Sequence, residues 1–140
     1  MMPNASIWMI RLSLIYFLIS ATLGGLILSG KVIDLHPMVW SLLPVHYELA
    51  VWGWLVQFIL GTAYWMFPKK LEGERRGKPL PAWIMIILLN TGILLLISSN
   101  FAGNVTETLS LSGRSLITLS ILIFTSLIWN RVVTYRKLEH

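Results

Sequence analysis

The second apolar stretch of this chain holds the residues whose types and spacing could perform chemistry. It carries His46 and Glu48 near its start and Gln57 further along. Polar side chains within an apolar span cost free energy, so each of them needs a structural or a functional reason. A neutral imidazole can bind a metal through one ring nitrogen, and a carboxylate can carry a proton. We therefore treat His46 as a candidate metal ligand and Glu48 as a candidate proton carrier.

One face of this stretch combines the histidine with small residues. On a helix, His46, Gly53, Gln57 and Gly61 share a side, because steps of three or four residues return to the same face. In a packing interpretation, the glycines admit a neighbouring helix and His46 bonds a carbonyl. In a functional interpretation, His46 binds a planar cofactor, and Gly53, Gln57 and Gly61 contact that cofactor or a partner chain. Glu48 is turned about 200° from His46, so the two do not share a ligand.

Composition indicates which solvent surrounds these residues. Of the 140 residues, 56% are hydrophobic and 12% are charged, against roughly a quarter charged in soluble domains. A lipid bilayer must therefore cover most of the surface. The absence of cysteine excludes disulfides, thiolate metal sites and covalent c-type haem attachment. We predict an all-α fold, a four-helix transmembrane bundle forming a single domain over residues 1–140, with spans at about 7–29, 44–68, 81–99 and 115–132.

The distribution of charge predicts the orientation of these spans. Arg11, the five cations of residues 69–78 and the three that follow Trp129 would share one side, and only Lys31 and Arg114 would lie on the other. The positive-inside rule places the first group in the cytoplasm. We therefore expect a multi-pass protein of the cell inner (cytoplasmic) membrane with both termini cytoplasmic. No basic stripe with interleaved aromatic residues is present, so no nucleic acid is expected as a partner.

The segment from His46 to Pro68 resembles the second helix of the catalytic subunit (subunit I) of haem–copper oxidases and nitric oxide reductases. In that family, a histidine near the outer end of this helix is an axial ligand of the low-spin haem, and a glycine and a closing proline follow. His46, Gly61 and Pro68 stand at the matching places. The first span, with its sequence Leu-Gly-Gly-Leu at 23–26, resembles the first helix of the family, and residues 81–90 resemble its third helix more loosely.

This resemblance implies haem b held by His46, with Lys31 or Arg114 as possible partners of outward-pointing propionates. Family members continue with further helices, whose histidines bind copper, the second haem and the opposite side of the low-spin haem. This chain has only His36, His46 and His140. We therefore expect no copper, and no complete oxidase or reductase activity from one chain.

The second axial ligand of such a haem is left open among three candidates. It could be His46 of a second copy, which would make a homodimer with one shared haem, and we favour this slightly over the others. His36 could fold back from the preceding linker. A third possibility is an open site, or one filled by Met38. His140 would lie roughly 30 Å away by helix rise, out of reach.

These features favour a membrane-embedded b-type haem protein that transfers electrons to a redox partner or within a respiratory complex. An open iron site would instead favour a haem-based gas-binding protein. A cofactor-free accessory or assembly subunit of a respiratory membrane complex is the alternative of a different class. A small transporter with Glu48 and Gln57 lining a path is the least favoured, since no broken helices are expected.

Overall fold

A computed structural model of the protein describes residues 1–33, 37–67 and 79–133. Within these ranges all regular structure is helical, and four helices are long and apolar enough to cross a membrane. This confirms the prediction of an all-helical fold with four helices of the length and apolarity that a membrane span needs. The four helices are α1 (Asn4–Ser29), α2 (Pro37–Met66), α3 (Pro79–Ser99) and α4 (Thr106–Val133).

Helix α2 is irregular along its length. It opens with a 3₁₀ segment (Pro37–Leu42), continues as α-helix (Leu43–Glu48), widens into a π-helix (Leu49–Val56) and returns to α-helix (Gln57–Met66). A π segment of this length is rare, and π turns within α-helices often occur at functional sites. The sequence predicts a regular helix here, and the predicted end at Pro68 lies outside the described residues.

Helix α4 begins earlier than predicted, at Thr106 instead of near residue 115. The hydroxyl of Thr106 donates to the carbonyl of Ser99 at 2.9 Å and to that of Gly103 at 2.8 Å, which closes a short connection to α3. Glu107 in the first turn adds a favourable interaction with the helix dipole. Arg114 consequently lies on a helix, not in a loop.

The helices pack antiparallel in sequence order. A Cβ atom added to Gly61 of α2 would lie 2.9 Å from the Met9 side chain of α1, and Ser20, further along α1, hydrogen-bonds His46, which comes earlier in α2. Helices α3 and α4 approach closely at a glycine pair: a Cβ added to Gly92 would lie 2.8 Å from the carbonyl oxygen of Gly113. Such small residues let membrane helices come into backbone contact.

A buried arginine marks one end of the bundle. Arg131 near the end of α4 is 1% exposed and donates to the carbonyl oxygens of Tyr64 at 3.1 Å and Phe67 at 2.6 Å. Tyr64 lies in the last turn of α2 and Phe67 directly follows the helix, where the helix dipole favours a cation. The start of α1 and the end of α4 therefore lie at the same end of the bundle, which we call the Arg131 end. His46 lies towards the opposite end, the His46 end.

The burial pattern fits a bundle whose outside is apolar. Fully buried side chains concentrate on α3, while large apolar side chains of α1 and α4 face outward; Leu18 is 68% exposed and Leu122 is 60% exposed. Apolar surface of this extent is unfavourable in water and is expected in lipid.

Candidate functional site

Helix α1 holds the imidazole of His46 by hydrogen bonds. The Nδ1 atom lies 2.9 Å from the carbonyl oxygen of Ser20, and the Ser20 hydroxyl donates to the carbonyl oxygen of His46 at 3.2 Å. The same hydroxyl oxygen is 3.1 Å from Nδ1. Because a carbonyl oxygen can only accept, Nδ1 must carry the proton that bonds it. In the neutral ring this leaves Nε2 with a lone pair, the form in which an imidazole binds a metal.

Gly24 makes room for this ring on the surface of α1. A Cβ atom added there would lie 2.7 Å from Cε1 of His46 and 3.4 Å from Nε2. The neighbouring Gly25 is different, because a Cβ atom added to it would meet nothing within 4 Å. The two glycines of the first span thus have separate roles, and only Gly24 belongs to the site.

A pocket of about 320 Å³ lies beside His46 at the His46 end of the bundle. This volume is at the low end of the roughly 300–1,000 Å³ found for small-molecule sites. Its polar lining comes from His46, Lys31 and Tyr47, and its other walls are apolar or small: Gly24, Ile27, Leu28, Trp40 and Leu43. Lys31 and Tyr47 are both exposed. Among the described residues, the pocket therefore combines a ring nitrogen, an apolar wall and the cation of Lys31.

Glu48 and Arg114 form an ion pair that is separate from this pocket. Arg114 Nη2 lies 3.1 Å from Glu48 Oε1, and the two side chains are 58% and 18% exposed. Of the two cations considered as propionate partners, only Lys31 lines the pocket with His46. Arg114 instead joins α4 to α2. The role of Glu48 as a proton carrier stays a prediction, and the structure gives that carboxylate a guanidinium partner.

The face formed by Gly53, Gln57 and Gly61 is filled by α1. The ring of Tyr16 packs on Gly53, where an added Cβ atom would lie 2.8 Å from Cγ, and Gly61 contacts Met9. The side-chain amide of Gln57 donates to the carbonyl oxygen of Met9 at 3.3 Å. These residues do share one face, but the surface expected to contact a haem or a second chain is occupied by the chain's own first helix. The packing interpretation describes this contact.

Sequence reasoning missed the residues of α1 and α3 that surround this face. The hydroxyl of Tyr16 donates to Oδ1 of Asn90 at 2.9 Å, and Nδ2 of Asn90 donates to the carbonyl oxygen of Ile86 at 2.8 Å. Tyr16 thus joins α1 to α3 while its ring covers α2. The polarity of Asn90 within an apolar span was the available signal, but the pattern of one helix does not identify a partner on another.

His46 is the one histidine within the described ranges. His36, the alternative second ligand, and His140 lie outside them. No group of three or more His, Cys, Asp or Glu side chains in the described part of the chain could hold a metal ion. A haem needs only one or two axial ligands from the protein, so a single well-held imidazole is the relevant feature here.

Comparisons of this chain with protein-family models, with curated proteins and with solved structures found no match.

Proposed function

We propose that this protein is a multi-pass membrane protein that binds b-type haem through Nε2 of His46 and transfers electrons. The observation that carries this proposal is the hydrogen bond from Nδ1 of His46 to the carbonyl oxygen of Ser20 beside the pocket. Histidines that bind metals nearly always donate their other ring N–H to a carbonyl, a carboxylate or water, which fixes the ring and raises its basicity.

The residues around the pocket fit one axial side of such a group. Within the described residues, Nε2 has no hydrogen-bond partner. Leu28 and Trp40 offer apolar surface to a porphyrin edge, and Lys31 can neutralise a propionate. When bound, the haem supplies reversible one-electron chemistry at its iron. Ser20 holds the imidazole in one tautomer, and Gly24 lets the ring lie against α1.

We place the protein in the cytoplasmic membrane of the cell, with both termini on the cytoplasmic side. The proposal rests on the nine cations assigned to one side of the spans and on the positive-inside rule. The shared position of the start of α1 and the end of α4 agrees with this arrangement. The Arg131 end would then face the cytoplasm, and the pocket of His46 would lie towards the outside.

The second axial position would be filled by His46 of a second copy in a homodimer, or by His36. Because α1 occupies the Gly53 and Gly61 face, a second copy would approach over the exposed residues of the pocket instead, namely Leu28, Trp40 and Tyr47. Two imidazoles leave no open position on the iron, which favours electron transfer over gas binding.

The test is purification in mild detergent from haem-replete cells. We expect a Soret band that is lost in His46→Ala and kept in the control His140→Ala. About one haem for every two chains would support sharing across a dimer, and about one per chain would support a ligand from within the chain, such as His36. A folded, colourless wild-type protein would refute the proposal.

A second candidate function is a cofactor-free accessory subunit of a respiratory membrane complex. The observation that favours it is the filling of the Gly53, Gln57 and Gly61 face by α1, since these residues then need no cofactor to explain them. It predicts a colourless chain that copurifies with larger membrane proteins. The haem content of the purified wild-type protein therefore separates the two candidates.

A further inference from the structure

Gln57 lies in the interface between α1 and α2, where it bonds Met9, and Ser6 lies three residues before Met9, towards the Arg131 end. Oε1 of Gln57 and Oγ of Ser6 have no hydrogen-bond partner among the described residues, and both side chains are 0% exposed. Inside an apolar bundle, an acceptor without a donor costs about 1–3 kcal/mol. Buried polar groups without protein partners are commonly bonded by internal water.

The surrounding protein groups are already committed to other bonds. The Nε2 atom of Gln57 donates to the carbonyl oxygen of Met9 at 3.3 Å, which fixes its amide with Oε1 as the remaining acceptor. The hydroxyl of Ser13 donates to the carbonyl oxygen of Ile10 at 2.8 Å. This neighbouring hydroxyl therefore does not supply the missing donor.

Ser6 lies close to the Arg131 end of the bundle. Ser6 is the third residue of α1, so it lies within one turn of the end of the bundle. Met9, whose carbonyl binds Gln57, is three residues further, about 4.5 Å along the axis. One or two water molecules are long enough to cover this rise along α1.

Tyr16 closes the interface on the other side of Gln57. Its ring packs on Gly53, and its hydroxyl is bound to Asn90. His46 and its pocket lie beyond this contact, so the two polar regions are separate. We propose that Ser6 and Gln57 form an internal water site, supplied from the Arg131 end and closed by Tyr16 towards His46. This inference involves no haem and is independent of the proposed function.

Water contact at single side-chain amides tests the proposal by NMR of the full chain in detergent micelles. We expect cross-relaxation or exchange peaks between water and the side-chain amide protons of Gln57. The internal control is Asn90, whose carbonyl accepts from Tyr16 and whose amide donates to Ile86, and we expect no such peak there. Ser6→Ala should weaken the Gln57 peak. A folded wild-type protein without a water peak at Gln57 would overturn the proposal.

The variant Ser6→Ala gives a second, thermodynamic readout. The Ser6 hydroxyl has no hydrogen-bond partner among the described residues, so alanine removes no bond to the protein there. If water binds Oγ, the substitution removes that hydrogen bond, and the folding equilibrium constant should fall roughly three- to tenfold. If Oγ is dry, removing an unsatisfied hydroxyl should leave that constant unchanged or raise it. An unchanged or raised constant therefore contradicts the proposal.

Discussion

The substitution Gly24→Ala tests how the structure holds His46. The added Cβ atom would lie 2.7 Å from Cε1, against 3.4–4 Å for an ordinary contact. The imidazole must therefore move by about 1 Å, or α1 and α2 must separate by a similar amount. Either movement stretches the 2.9 Å contact between Nδ1 and the carbonyl oxygen of Ser20 beyond hydrogen-bonding distance.

The expected cost follows from these two effects. Loss of the hydrogen bond costs about 0.5–1.5 kcal/mol, and overpacking costs about 1–3 kcal/mol. Glycine-to-alanine substitution also changes the helix propensity, by about 1 kcal/mol in favour of alanine. The control Gly25→Ala has this same propensity gain and meets no atom within 4 Å, so the propensity term cancels between the two variants. We expect Gly24→Ala to be less stable than Gly25→Ala by about 2–4 kcal/mol.

The assay is equilibrium unfolding of both variants in the same detergent, followed by circular dichroism. A haem titration of both variants gives the functional counterpart: loss of the bond that orients a metal-binding histidine typically costs 10–100-fold in affinity. Equal stabilities of Gly24→Ala and Gly25→Ala would refute the placement of His46 against α1. Equal haem affinities with unequal stabilities would instead refute His46 as the ligand.

Three further substitutions test other contacts of the bundle. Arg131→Met leaves the carbonyl oxygens of Tyr64 and Phe67 without their donor. It should lower the free energy of unfolding by about 2–4 kcal/mol in denaturant titrations. An effect below about 0.5 kcal/mol would contradict these two hydrogen bonds. Glu48→Gln breaks the partly exposed pair with Arg114 and should cost less than about 1 kcal/mol, while reducing the salt dependence of unfolding; an unaltered salt dependence would count against the pair. Gly92→Ala places a Cβ atom 2.8 Å from the Gly113 carbonyl oxygen and should lower the midpoint of thermal unfolding, and an unchanged midpoint would disprove that close approach.

The number and the approximate places of the helices could be predicted from the sequence, because a span needs only a long apolar run. The start of α4 could not be predicted, because it depends on the hydroxyl of Thr106 bonding Ser99 and Gly103 across a turn. The sequence did not indicate the π segment Leu49–Val56 either. Its residues are as apolar as those of an α-helix, and nothing in their order shows the change in hydrogen-bond register.

The candidate site was predictable in its central residue but not in its surroundings. His46 was apparent because a histidine in an apolar span needs an explanation. The shared face of Gly53, Gln57 and Gly61 also followed from helical spacing. Tertiary packing determines which helix covers that face, and it also brings Ser20 to His46. The spacing of residues along one helix does not contain that information.

Imidazole rescue of His46→Gly tests most directly the proposal that Nε2 of His46 is an axial ligand of a b-type haem, because the substitution removes the ligand and leaves a cavity of matching shape. We expect His46→Gly, reconstituted with haem, to lack the absorption spectrum of the wild-type protein and to regain it when imidazole is added. A His46→Gly protein whose haem spectrum matches the wild type without imidazole would contradict the proposed ligation.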